Sequence, residues 1–369
     1  MADRPLRIVL VVAETHGGIG KHVRQLAEQL VAFKHEVTLI GPATSLATID
    51  PPRYGLATRA IRVGSVRHAP MARYAMRLSV AGADVIHAHG LRAGAVAISA
   101  RRPIGSSSGR PVVVTWHNAP LLDGIPGFSQ RLLGRYVARR ADLTLGASPD
   151  LTVAARAAGA TNARDTFILA PPIEPPRSRA EMRDELGVGD RPTVLAVGRL
   201  QAQKRFDVLI DAAARWADDP HGPVVLLAGD GPDEASLRSR AAETGAPVNF
   251  LGHRSDVDDL LAAADVVALP SAWEARSLVA QEALRAGVPL VTTSVGGLPD
   301  LVGEAAVFVP VGDVLQLGDA LSTVLDDAGL RDRLVRLGLE RAAGWPSAEA
   351  ALGELVATYA ALAKVRGAS

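Results

Sequence analysis

The sequence predicts an α/β protein built as two doubly wound parallel sheets, and three observations carry that prediction. The chain has 369 residues, the size of two ordinary domains. Strand-like and helix-like patterns alternate in both halves, which calls for parallel sheets covered by helices. Between the halves lies the run from Ala170 to Arg179, whose four prolines cannot continue a helix or a central strand. The expected division is a Rossmann-like domain over residues 1–170, a linker over 171–190, a second Rossmann-like domain over 191–345 and a terminal helix over 346–369.

In the first half, Arg7 to Val12 is a buried-type strand, and Val23, Leu26, Ala27, Leu30 and Val31 set a helical spacing after it. The turn between them contains Gly17, Gly18 and Gly20. Such a turn lets a backbone approach a ligand closely, and it equally suits a tight turn with no ligand. Two phosphate motifs fail there. A P-loop needs Gly in place of Thr15 and Ser or Thr in place of His22, and a dinucleotide fingerprint needs a third Gly where Val23 stands. His87 and His89 lie two apart on one strand face, but the chain has no Cys and no acid follows nearby, so they read as rim or packing residues. The strand from Val112 ends in His117 and Asn118, at the carboxyl end where open α/β sheets bind ligands, and His117 reads either as structural or as functional.

In the second half, the strand Thr193 to Val197 runs into Gly198, Arg199 and Lys204 before the helical pattern Phe206, Val208, Leu209, Ala212, Ala213. Two cations beside a helix N-terminus suit a diphosphate, the alternative being a solvated surface pair. Only four lysines stand among the 40 basic residues, so Lys204 departs from the chain's habit. After the strand Val266 to Leu269, a loop runs through Glu274, and Leu278, Val279, Ala283 and Leu284 with Gly287 as stop predict a buried helix of about three turns. Glu274 thus falls in a loop and Glu282 in a helix. Split this way they cannot form a close acid/base dyad, but each can accept hydrogen bonds from hydroxyls of one elongated polyol. A dipole-complementing acid plus an ordinary helical Glu is the alternative. Trp345-Pro346-Ser347 then caps a helix through Tyr359 and Val365.

Taken in order, Gly198-Arg199 with Lys204, Gly229-Asp230-Gly231, Gly252-His253-Arg254, Glu274 and Glu282 separated by seven residues, and Gly296-Gly297-Leu298-Pro299-Asp300 resemble the retaining GT-B glycosyltransferases of family 4, the group 1 glycosyltransferases. Gly17-Gly18 with His22, and His117, extend the resemblance into the first half. It implies a GT-B fold, in which an acceptor domain and a donor nucleotide-sugar domain face a central cleft and the terminal helix crosses back onto the first domain. It further implies that Arg199 and Lys204 hold the donor diphosphate, that Glu274 meets the donor sugar hydroxyls and Glu282 the ribose, and that His117 contacts the transferred sugar. Gly17, Gly18, Gly231, Arg254, Ser277 and Leu278 join Glu282 in the implied donor-binding set. The family usually follows its first Glu with Gly-Phe-Gly, whereas this chain has Ala275-Arg276-Ser277. Side chains therefore stand where the backbone was bare, and Arg276 either adds a cation or narrows the sugar pocket.

The expected chemistry is retaining transfer of a sugar from a UDP-, GDP- or ADP-sugar to a hydroxyl of a glycan or lipid-linked acceptor, with no cofactor and no metal. Negative charge builds on the leaving diphosphate, so placed cations supply much of the catalysis. A sugar-nucleotide epimerase or phosphorylase on the same fold, and a non-catalytic sugar-nucleotide-binding regulator, are the alternatives.

The net charge of +1 hides an asymmetry: residues 1–170 hold 21 Lys plus Arg against 10 Asp plus Glu, and the remaining 199 hold 19 against 29. Six arginines and no acid lie between Pro51 and Ala83, namely Arg53, Arg59, Arg62, Arg67, Arg73 and Arg77. Arg131, Arg135, Arg139 and Arg140 recur at near-helical spacing. This half expects anionic surroundings, with Arg131, Arg135 and Arg139 as an acceptor or membrane face; complementarity to the acidic half is the alternative. Aromatics at 4% leave no stacking platform for nucleic acid. The N-terminus leads straight into a strand too short for a signal sequence, no apolar run of about eighteen residues occurs, and cysteine is absent. A cytoplasmic protein, free or peripheral on the inner face of a membrane, is expected.

Overall fold

A computed structural model describes residues 4–15, 17–50, 56–61, 69–102, 104, 109–118, 124–171, 173 and 177–367. The chain divides into two compact units, Met1–Ile168 with Pro346–Ser369, and Leu169–Trp345.

In the first unit strands and helices alternate as β1 (Arg7–Val12), α1 (Gly18–Ala32), β2 (Glu36–Gly41), α2 (Ala43–Ile49), β3 (Leu56–Ala60), α3 (Ala69–Ser79), β4 (Val85–His89), α4 (Leu91–Ala100), β5 (Val112–Trp116), α5 (Gly124–Arg140), β6 (Leu143–Gly146), α6 (Pro149–Ala157) and β7 (Ala163–Asp165). All sheet neighbours are parallel, in the order β3-β2-β1-β4-β5-β6-β7. Strands β4 and β5 are buried throughout, which explains their unbroken apolar character, whereas β3 at the edge is mostly exposed. The core joins Leu10, Leu39 and Val113 to Val23, Leu26 and Leu30 of α1. The strand order reverses between β1 and β4, so the loops after these two strands splay apart at the switch point where such sheets take ligands.

The second unit runs α7 (Arg179–Glu185), β8 (Thr193–Val197), α8 (Phe206–Ala213), β9 (Val224–Ala228), α9 (Glu234–Thr244), β10 (Val248–Gly252), α10 (Val257–Ala263), β11 (Val266–Leu269), α11 (Leu278–Arg285), β12 (Leu290–Thr293), α12 (Leu298–Val302), β13 (Val307–Val309), α13 (Val314–Asp326) and α14 (Ala328–Ala343). Its sheet is again all parallel, in the order β10-β9-β8-β11-β12-β13, with the reversal between β8 and β11. Phe206, Leu209 and Ile210 of α8 anchor the core against Val194, Val225 and Leu321.

The last helix, α15 (Ala348–Gly367), belongs to the first unit, where Leu352, Val356 and Tyr359 enter the same core as α1. Ser347 starts it, its hydroxyl accepting from the Ala350 amide at 3.1 Å. One expectation needs correcting. Helix α11 has eight residues, little more than two turns, because Ser277 caps it and Gly287 at φ +67° ends it.

Candidate active site

In the second unit the residues singled out from sequence gather after β8 and β11, the two strands that flank the reversal. Lys204 closes a short 3-10 turn, and its stem lies against Gly198, where a Cβ would come 3.2 Å from Lys204 Cε. Its ammonium donates to Glu274 Oε1 at 2.6 Å, and the Ser271 hydroxyl donates to the same oxygen at 2.7 Å. Glu274 is only 8% exposed, so this buried carboxylate is matched by a cation and a neutral donor. The surrounding loops are laced together. Gln203 donates from Nε2 to the Trp273 carbonyl at 2.7 Å and accepts at its own carbonyl from the Ala272 amide at 2.8 Å. The Gly297 amide donates to the Glu274 carbonyl at 2.9 Å. Gly296 sits at φ +52°, and a Cβ there would fall 2.0 Å from the Glu274 carbonyl oxygen, so only glycine lets this loop close on Glu274.

Arg199 is exposed one residue beyond Gly198, and no carboxylate among the described residues pairs with it. The loop carrying it is held to the loop after β9: the Leu200 amide donates to the Asp230 carbonyl at 2.7 Å, and a Cβ on Gly231 would meet the Leu200 carbonyl oxygen at 2.2 Å. Ser277 caps α11 by accepting from the Ala280 amide at 3.2 Å, and Leu278 follows half-buried. Glu282 is buried on the same helix. Burial lowers the Arg285 pKa while the Glu282 charge raises it.

Two residues lie differently. Arg254 is engaged by Asp256, through Nε at 2.8 Å and Nη2 at 2.6 Å, and by Glu185 at 3.1 Å, and these partners raise its pKa. Its guanidinium is thus matched by carboxylates within the unit. Arg276, at the departure from the family pattern, reaches Asp300 Oδ2 at 3.4 Å, and its side chain is mostly buried.

In the first unit, Gly17 at φ +63° precedes α1 and Gly18 is its first residue, both exposed. His117, just past β5, is buried in a cluster with His22, His87 and His89. His89 Nδ1 lies 3.1 Å from His117 Nε2, and the His22 ring is centred 5.5 Å from His89 and 5.7 Å from His117. His87 is held at both nitrogens, by Thr115 Oγ1 at 2.7 Å and by the hydroxyl of Tyr359 at 2.5 Å. His89 Nε2 is buried with no partner among the described residues. Burial brings His22 down to about 4, burial and then the His22 charge bring His87 to about 3, and burial first holds His89 and His117 well below the usual range. The cluster is therefore neutral at physiological pH, a set of hydrogen-bonding groups for hydroxyls. Among the described residues no group of three His, Cys, Asp or Glu is disposed to hold a metal ion.

His87 and His89, which by sequence read as rim or packing residues, join His117 in this cluster, and Tyr359 meets His87 from the end of the chain, a contact that the sequence does not indicate. The available signal was the matching period of two in His87-Ala88-His89 and Thr115-Trp116-His117 on what prove to be adjacent strands. Arg131, Arg135 and Arg139 are exposed along α5. Arg59 is exposed on β3, and Arg53, Arg62 and Arg67 lie outside the described residues. No helix among the described residues is long and apolar enough to cross a membrane.

Residues 178–341 match the family described as Glycosyl transferases group 1, and residues 17–171 match the Glycosyl transferase 4-like domain. The chain is 38% identical over 210 residues to a D-inositol 3-phosphate glycosyltransferase of Nocardia farcinica, a stretch that is 52% of this chain and 46% of the relative. It is 33% identical over 185 residues to the alpha-D-kanosaminyltransferase of Streptomyces kanamyceticus, 47% of this chain and 46% of the relative. The matches thus span about half the length of these two relatives. The crystal structure of Anabaena HepE in complex with UDP and glucose aligns with a TM-score of 0.81 at 21% identity, covering 96% of this chain and 99% of that one, which shows a shared fold.

Proposed function

We propose that this chain, which belongs to the group 1 glycosyl transferases and has their two-domain GT-B fold, is a retaining, metal-independent glycosyltransferase that moves a sugar from a nucleotide-diphosphate donor to a hydroxyl. The observation that carries this reading is the Lys204–Glu274 pair at the β8/β11 reversal, with Arg199 exposed beside it. A cation next to a carboxylate is what a sugar diphosphate needs: phosphate oxygens take the ammonium and guanidinium, and sugar hydroxyls donate to the carboxylate.

In the proposed reaction the bond from the anomeric carbon to the diphosphate oxygen breaks, the acceptor oxygen bonds to that carbon, and the acceptor's proton ends on the leaving diphosphate. Arg199 and Lys204 offset the charge that develops there, which is where fixed cations lower a barrier. Glu282, buried on α11, is assigned to the ribose hydroxyls, with Gly231, Ser277 and Leu278 shaping the donor site. Gly17 and Gly18 bring backbone close to the ligand, and His117 with its neutral neighbours offers hydrogen bonds to a sugar hydroxyl. Arg254 is assigned a supporting role in holding the loop after β10, given its carboxylate partners.

The first donor to test is UDP-glucose, since HepE was crystallised with UDP and glucose. A phosphate-bearing or lipid-linked acceptor at an anionic membrane surface fits the basic first half, and a D-inositol 3-phosphate glycosyltransferase is among the relatives. The test is release of nucleoside diphosphate from UDP-, GDP- and ADP-sugars, with and without membrane lipid extract or inositol phosphate. Release that rises with one acceptor is expected. Donor binding with no release under any condition would point to a sugar-nucleotide sensor, and sugar interconversion without release to an epimerase.

A further inference from the structure

The first unit has a basic pocket at the end of its strands opposite to the one that carries His117. The carboxyl ends of α3, α4 and α5 enclose a pocket lined by Arg73, Arg77, Arg101, Arg102 and Arg140, with Tyr136 on its wall. Some of this charge has a structural use. Arg101 pairs with Asp142 and donates from Nη1 to the Arg140 carbonyl at 3.1 Å, and Arg77 donates from Nε to the Arg102 carbonyl at 2.7 Å. These two satisfy and complement helix ends, the ordinary reason for Arg in a last turn. The other three are not used in this way. Arg73 lies a turn earlier on α3, Arg102 lies beyond the end of α4, and Arg140 stands 5.9 Å from the Tyr136 ring. All three are exposed, and no described carboxylate pairs with them. Five guanidiniums thus share one pocket, and among the described residues only one of them, Arg101, is shown paired with a carboxylate, Asp142.

The pocket's surroundings indicate the form in which an anion would arrive. Met71, Tyr74 and Leu78 are exposed along α3, and Phe128, Leu132 and Tyr136 along α5. Spacings of three or four residues put each trio on one side of its helix. Single exposed apolar residues are ordinary, but two rows beside one basic pocket are not. A free phosphate in water gains nothing from such a rim. A phospholipid does, because the headgroup meets cations while apolar side chains enter the headgroup and acyl boundary.

We propose that the Arg73–Arg102–Arg140 pocket binds the phosphate of an anionic phospholipid and seats the first unit on a membrane through the outer faces of α3 and α5. This deepens only the membrane part of the proposed function, and it is read by binding without turnover, so a failure of donor chemistry leaves it standing. The experiment is sedimentation with vesicles of phosphatidylcholine, with and without phosphatidylglycerol. The proteins are the full chain, Arg73→Ser/Arg102→Ser/Arg140→Ser, the corresponding triple Lys variant, and Tyr74→Ser/Leu78→Ser, each checked by its thermal melt. The expected results are binding that requires phosphatidylglycerol, a loss of about tenfold or more in the Ser triple, partial retention in the Lys triple, and weakening in the apolar variant. Glycerol 3-phosphate should displace the protein poorly. Undiminished binding by a folded Ser triple overturns the proposal, as does equal binding to neutral vesicles. Ready displacement by glycerol 3-phosphate with no effect of the apolar substitutions makes the ligand a free phosphate and likewise overturns it.

Discussion

Lys204 and Glu274, seventy positions apart in the chain, are hydrogen-bonded at 2.6 Å in the unliganded protein. The two charges of this pair therefore offset each other, and a diphosphate entering the proposed donor site has to share or replace the carboxylate as partner of the ammonium. Lys204→Ala is expected to weaken nucleoside diphosphate binding by about 1–3 kcal/mol, the range for a charge-assisted hydrogen bond. It also leaves a buried carboxylate without its cation, so the melting temperature falls too. Calorimetry showing wild-type affinity in the folded variant would remove the basis for the assignment.

The two carboxylates are expected to separate kinetically. Glu282→Ala should weaken binding of the bare nucleoside diphosphate, whereas Glu274→Ala should leave it nearly intact and lower turnover, since in the proposed site only the sugar-bearing donor reaches Glu274. Equal loss of bare nucleotide binding in both variants would show the roles to be wrongly divided.

Gly296→Ala tests the loop that closes on Glu274. Its Cβ would fall 2.0 Å from the Glu274 carbonyl oxygen at a φ of +52°, whereas Gly187, at φ +64°, has open space around it. Gly187→Ala should cost only the left-handed backbone penalty, about 1–2 kcal/mol. Gly296→Ala should cost more and also lower turnover by moving Glu274. Equal losses in denaturant unfolding would show that the loop relaxes freely.

The histidine cluster predicts a pH dependence of stability. Folded His22 lies at about 4 and His87 at about 3, below the ordinary value of 6.5. In that interval the unfolded chain binds protons that the folded one refuses, so stability is complete above about pH 6.5 and is lost progressively as pH falls toward 4. The depressed carboxylates Asp84 and Asp256 add their own loss only at lower pH, below the ordinary value of 3.8. Urea midpoints measured from neutral pH down to about pH 4.5 should fall steadily, with proton uptake on unfolding. A flat profile would mean that the cluster opens to water.

The exposed arginines of α5 are expected to act at longer range than the pocket. Replacing Arg131, Arg135 and Arg139 by Ser should reduce binding to anionic vesicles at low salt and matter little at physiological salt, where the Debye length is about 8 Å. Nucleotide affinity should not change, because the residues proposed to hold the diphosphate and ribose, Arg199, Lys204 and Glu282, belong to the other unit. A loss independent of salt would point to direct contact instead.

Much of the framework could be read directly from the residues. Strands β1, β8 and β11 begin and end where their apolar runs do, and Glu274 falls in a loop and Glu282 in a helix as spacing required. These are local properties: side-chain periodicity, a capping Ser277 and a stopping Gly287 act within a few residues of themselves. Helix α11 has eight residues rather than three full turns because Ser277 caps it and Gly287 at φ +67° ends it.

The partners of each functional side chain were decided elsewhere. That Lys204 meets Glu274, that Tyr359 holds His87 across 272 positions, that Arg276 turns onto Asp300 and that Arg254 is engaged by Asp256 and Glu185 all depend on which strands lie side by side and in what register. Composition and spacing fix which face of an element is buried. The approach of two loops from distant parts of the chain is fixed only when β8 pairs with β11, and β4 with β5, because those pairings set the distances between charges and hydrogen-bonding groups to within an ångström.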